Sequence, residues 1–122
     1  MKPETKFYAQ VKKNFKQFSL IRLENISLPG TPDLLVYNNN GHFFTIELKV
    51  TKTNKIKFSP HQIAFHVKHP YNTFILVLDA CLMLPKLYEG SCIRDLVACG
   101  LKLEPKVSGF REIEKFLSAL DA

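Results

Sequence analysis

The chain has 122 residues, 46% hydrophobic and 23% charged, a composition that allows one buried core and a single domain, residues 1–122. No apolar run reaches membrane-spanning length and residues 1–20 are too polar for a signal peptide, so a cytoplasmic protein without a membrane partner is expected. The net charge of +6 is uneven: residues 1–70 hold 11 basic and 4 acidic groups and residues 71–122 hold 6 and 7, which makes the first part the candidate polyanion surface.

The first element expected is a helix. Pro3 suits a first helical position, and Phe7, Val11, Phe15 and Phe18 recur at spacings of four, four and three, leaving Lys6, Lys12, Lys13 and Lys16 on the outer face. Residues 19–27 alternate loosely before the break at Pro29 and Gly30 and predict a strand. Two further strands, about Asp33–Tyr37 and His42–Val50, flank the turn NNNG. After a lysine-rich loop over 51–58, Ser59, Pro60 and Gln62 have the spacing of a capping box that opens a helix running to about Lys68.

Residues 74–79, FILVLD, read as a fully buried strand, and 84–88 as a short edge strand. Helices are expected over 91–98, stopped by Gly100, and over 109–120, with Phe110, Ile113, Phe116, Leu117 and Leu120 on one face. The fold class is therefore α/β, a mixed central sheet flanked by helices, with a core over about 1–79 and a C-terminal helical extension over about 80–122. Cys81, Cys92 and Cys99 lack the spacing of a disulfide framework or a zinc site and are expected as reduced thiols in or near the core. His61, His66 and His69 lie in the second helix region without carboxylate or cysteine company and are expected at the surface, His61 within reach of a phosphate at the helix N-terminus.

The hairpin fixes a geometry. A three-residue loop of Asn39, Asn40 and Gly41, with glycine in its left-handed position, closes on Asn38 and His42; counting outward, Asp33 falls opposite Glu47. Lys49 shares their face, and Leu34, Val36, Phe44, Ile46, Leu48 and Val50 share the other. Two opposed carboxylates cost about 0.2 to 1 kcal/mol even when exposed, so plain stability would not select the pair. A magnesium or manganese ion between them removes the repulsion, and Lys49 beside it can stabilise charge on a phosphate or orient and deprotonate an attacking water. The bland reading is a surface ion cluster of Asp33, Glu47 and Lys49 that binds nothing.

Gly30, Pro32-Asp33 and Glu47-x-Lys49 resemble the motifs of the PD-(D/E)XK nuclease superfamily. More narrowly, G-x-P-D-L-L, I-E-L-K and the Ser59 to Gln62 stretch resemble the VRR-NUC and Holliday-junction-resolvase-like nucleases common in phages and bacteria. The resemblance covers about residues 20–79. It implies a restriction-endonuclease-like core of order α-β-β-β-α-β and metal-dependent hydrolysis of DNA phosphodiester bonds. Asp33, Glu47 and the Leu48 backbone carbonyl would be ligands of Mg2+ or Mn2+, and Lys49 the catalytic lysine. Gln62 matches the motif glutamine, beside its capping role. The family often adds an acidic residue from the first helix, for which Glu4 is the candidate and Glu24 the second.

The substrate so implied is branched or otherwise structured DNA, with Lys12, Lys13, Lys16, Lys52, Lys55, Lys57 and His61 as phosphate contacts. A phage-encoded enzyme acting in the bacterial host cell would fit. A homodimer is compatible with cutting two strands, with the FILVLD region or the terminal helices as sources of an apolar interface. The alternatives are a noncatalytic nucleic-acid-binding module on the same fold and a structural interaction domain.

Overall fold

A computed structural model of the chain describes residues 2–23 and 28–121. Six strands form one mixed open sheet in the order β1-β2-β3-β4-β5-β6, with helices on both faces. Helix α1 spans Pro3–Asn14, followed by β1 (Ser19–Arg22), β2 (Leu34–Tyr37) and β3 (Phe43–Thr51). Helix α2 (Pro60–Lys68) leads into β4 (Thr73–Asp79) and β5 (Leu84–Glu89), and α3 (Ile93–Cys99), β6 (Val107–Ser108) and α4 (Phe110–Ser118) complete the chain. Only β3 and β4 are parallel, joined through α2; the other neighbours run antiparallel. Residues 24–27, the end of the expected first strand and with them Glu24, lie outside the described residues.

Alternation along the strands sorts the core into two layers. Leu34, Val36, Phe44, Ile46 and Leu48 bury against Phe7, Val11 and Phe15 of the α1 segment and Ile113 and Leu117 of α4. On the opposite face Ile75, Val77 and Tyr88 pack with Ile56, Ile93 and Leu96. The hairpin register is the one the turn dictates: Tyr37 pairs with Phe43 and Leu34 with Ile46. Gly41 sits at φ +74°, and Asn38 exchanges backbone bonds with His42 and Gly41, each at 3.1 Å. Its side chain adds a second tie, accepting from the N–H groups of Asn40 and His42 while its amide donates to the Leu117 carbonyl of α4 at 2.9 Å.

Several expectations need correction. Strand β5 is internal, because β6 pairs beyond it through Lys86 with Ser108 and Leu87 with Val107. Residues 80–121 thus add two strands to the sheet as well as helices, and α4 closes the main core layer. Every residue of β4 is buried and its neighbours are β3 and β5, so FILVLD offers no surface to a second copy; the apolar face of α4 is likewise spent on the core. The three cysteines are free, but Cys81, in the turn after β4, and Cys99, the last residue of α3, are exposed. Among the described residues no helix is long and apolar enough to cross a membrane.

Candidate active site

The acid pair forms where β2 ends and β3 continues. Strand β2 begins at Leu34, and Asp33 stands one residue outside it. Its backbone carbonyl still accepts from the Leu23 N–H at 2.8 Å, while its side-chain Oδ2 accepts from the Leu48 N–H at 2.7 Å. A carboxylate therefore takes the ladder place of a backbone carbonyl, and Asp33 lies at the sheet's edge and not squarely on one face. The N–H and C=O of one strand residue point to the same side, so the Leu48 carbonyl also faces the gap where β2 has parted from β3.

Glu47 lies behind this gap, 2% exposed. Its Oε2 accepts from Gln62 Nε2 at 3.1 Å, and its Oε1 is buried with no partner. Burial, and after it the charge and hydrogen bond of Asp33, push Glu47 up to about 9 against the pull of Lys49, so in the metal-free protein Glu47 holds a proton at neutral pH.

Gln62 joins both halves of the cluster. Lys49 Nζ donates to Gln62 Oε1 at 2.9 Å and lies 5.0 Å over the Phe58 ring. The same Oε1 accepts from the Ser59 N–H at 3.0 Å, and Ser59 Oγ accepts from the Gln62 N–H at 3.1 Å, so the capping box is complete. The two readings of Gln62, cap and site residue, are thus one geometry. Gly30 holds the Asp33 loop against this turn: at φ +83°, a Cβ there would overlap the His61 carbonyl.

Glu4, exposed on the first turn of α1, lines a cleft of about 280 Å3 with Asp33 and Leu48, and its charge adds to the upward push on Glu47. The other walls are Lys2, Thr5, Tyr8, Arg22 and Leu34. Sequence reasoning missed Lys2, Tyr8 and Arg22. The last is placed by pairing with Leu34 across β1 and β2, a register no turn announces because eleven residues separate the two strands.

Lys12, Lys13 and Lys16 are exposed and do not line the cleft. Lys52, Lys55 and Lys57 are exposed on the segment that leaves the C-terminal end of β3, the end at which Asp33 stands; Leu101 anchors it by donating its N–H to the Asn54 carbonyl at 2.7 Å. His61 and His69 are exposed as expected, but His66 is fully buried. It follows Gln62 by one helical turn and so faces the sheet; both ring nitrogens lack a partner, and burial lowers its pKa to about 4.

The donor set suits a hard divalent cation. Two carboxyls, one of them with an orphaned buried oxygen, and a strand carbonyl offer oxygen alone, the preference of magnesium and manganese. Among the described residues no three His, Cys, Asp or Glu side chains form a group that could hold a metal ion. No family model matches the chain, and no curated protein matches it either.

Proposed function

We propose that this protein is a metal-dependent DNA endonuclease with the restriction-endonuclease-like core its motifs resemble, acting on branched or otherwise structured DNA. The observation that carries the reading is the Asp33–Glu47 pair beside Lys49, with Glu47 and Lys49 tied to one glutamine. Burying Glu47 next to a second carboxyl is costly, and a fold selected for stability alone would place an apolar residue there. A site that uses the charge accounts for it.

Asp33, Glu47 and the Leu48 carbonyl would hold a magnesium or manganese ion, with Glu4 as the nearest further carboxylate on the cleft wall. When bound, such an ion offsets charge on the scissile phosphate and eases loss of a proton from water. Lys49 is held by Gln62 Oε1 with its remaining N–H donors available to a phosphate oxygen or to the attacking water. Lys52, Lys55 and Lys57 would hold flanking phosphates. A chain of 122 residues has little surface for base reading, so phosphate and shape recognition dominate.

Calorimetric titration with Mn2+, followed by a cleavage panel of linear, nicked, flap, four-way and single-stranded DNA with Mg2+ or Mn2+, tests the reading. Wild type is expected to bind Mn2+ and to cut at least one substrate; Asp33→Asn should do neither. A wild type that holds DNA but binds no Mn2+ and cuts nothing would be a noncatalytic nucleic-acid-binding module.

A further inference from the structure

The turn that joins β4 to β5, residues 80–83, is tied down over its first half. The Ala80 N–H donates to the Thr51 carbonyl at 2.9 Å, and the Cys81 thiol donates to the Lys52 carbonyl at 3.0 Å. Asp79 accepts from the Cys81 N–H with one carboxylate oxygen and from Lys86 Nζ with the other, each at 3.2 Å. Yet this fixed turn presents two large apolar side chains to water: Leu82 is 66% exposed and Met83 63%. Met83 also takes the left-handed backbone, at φ +51°. The β2–β3 turn fills its left-handed place with Gly41, which adopts it freely, whereas a methionine there is strained. Stability alone would select polar residues or glycine at both points, and contact with a partner accounts for the choice.

The turn also stands near the site. Asp79 pairs with Thr51, two residues beyond Lys49 on β3, so the turn leaves the sheet at the end where Asp33 stands. A cleft of about 430 Å3 brings Lys52, Thr53 and Asn54 together with Cys81 and Leu82. We propose that Leu82 and Met83 form an apolar wedge that enters a nucleic acid where its base stacking is interrupted, while Lys52 beside them holds a phosphate. Charge selects this partner. Among the described residues the Lys52 ammonium has no ion-pair partner, and the acid in the cleft lining, Asp79, is already paired with Lys86. A second copy would bring the same lysine against this one, whereas a polyanion with flat apolar bases suits both the ammonium and the two side chains. Leucine and methionine enter a base step at the cost of unstacking it, a cost least where the duplex is already broken, as at a branch.

The identity of the partner rests on the nuclease reading, but the test is separable. A four-way junction carries the fluorescent base aminopurine at its branch point, and emission and affinity are followed with Ca2+ in place of the catalytic ion. Wild type should raise the emission as the branch unstacks. The double variant Leu82→Ser, Met83→Ser should lose the rise and bind the junction about tenfold more weakly, with affinity for linear duplex within about twofold of wild type. Tyr71→Ser, at an 81% exposed residue before the opposite end of β4, should change neither. Met83→Gly suits the left-handed backbone, so it should melt no lower than wild type and still lower the rise.

A double variant that still unstacks the branch, or that loses junction and linear duplex equally, would overturn the wedge. So would a wild-type dimer, seen by sedimentation, that the double variant abolishes, since the turn would then meet a second copy. A wild type that cuts a branched substrate with Mn2+ yet leaves the branch stacked would refute the wedge and uphold the nuclease reading. One that unstacks the branch in Ca2+ and cuts nothing with Mn2+ would do the reverse.

Discussion

Replacing Glu47 by Gln should stabilise the metal-free protein, and by more as the pH rises. The substitution keeps shape and hydrogen bonds: the new amide oxygen can accept from Gln62 Nε2, and the new NH2 can donate to Asp33. What it removes is a titration. In the unfolded chain Glu47 loses its proton near 4.5, whereas in the folded protein burial and Asp33 hold it to about 9. Between these values the folded state binds more protons, so the wild type loses stability as pH rises through the window and the contribution is fully present only below 4.5. From pH 5 to pH 7 the wild type should therefore fall behind Glu47→Gln by up to about 2.7 kcal/mol, two pH units at 1.36 kcal/mol each. Urea denaturation of both proteins in EDTA at pH 5, 7 and 8.5 measures it. Parallel stability curves, or curves that converge toward high pH, would refute a buried proton-holding Glu47.

Lys49→Ala should lower turnover on the best substrate by at least 100-fold while leaving DNA affinity in Ca2+ within about threefold, because it removes charge stabilisation at the transition state and no core packing; single-turnover cleavage checks it. Ser59→Ala should cost about 1 kcal/mol of stability as a lost cap, whereas Gln62→Ala loses its side-chain bond to the Ser59 N–H and also frees Lys49 from its acceptor, so only the second should shift the pH profile of cleavage. His66→Leu removes two unpartnered nitrogens from the interior; it should abolish the loss of stability that the wild type shows as pH falls from 6.5 toward 4, about 2 kcal/mol between pH 7 and 5, as read by urea titration.

What the sequence made legible are the features set by local rules. The NNNG turn fixes the β2–β3 register through one left-handed glycine, and that register alone brings Asp33 to Glu47. Ser59, Pro60 and Gln62 announce the start of α2 because a capping box needs those side chains at that spacing. Features that depend on distant partners were hidden. Val107–Ser108 is too short to show a period and becomes a strand only because β5 lies beside it. Arg22 gains its place from Leu34 and Tyr8, which no local signal links to it. His66 was within reach of reasoning: a helix whose Gln62 must point to the sheet also points His66 there, one turn later.

Why the site is rigid follows from how few groups build it. Both acceptor positions of Gln62 Oε1 are used, one by the Ser59 N–H and one by Lys49, and its amide nitrogen serves Glu47. The first turn of α2 therefore cannot complete its cap without also placing a donor on Glu47 and an acceptor under Lys49. That turn packs in addition against Gly30, which leaves no room for a side chain, so the loop bearing Asp33 is positioned by the same backbone. Helix capping, loop placement and assembly of the acid pair are then one structural event. Side chains fixed in this way need no reorganisation when charge develops between them, the condition under which electrostatic stabilisation of a transition state is most effective.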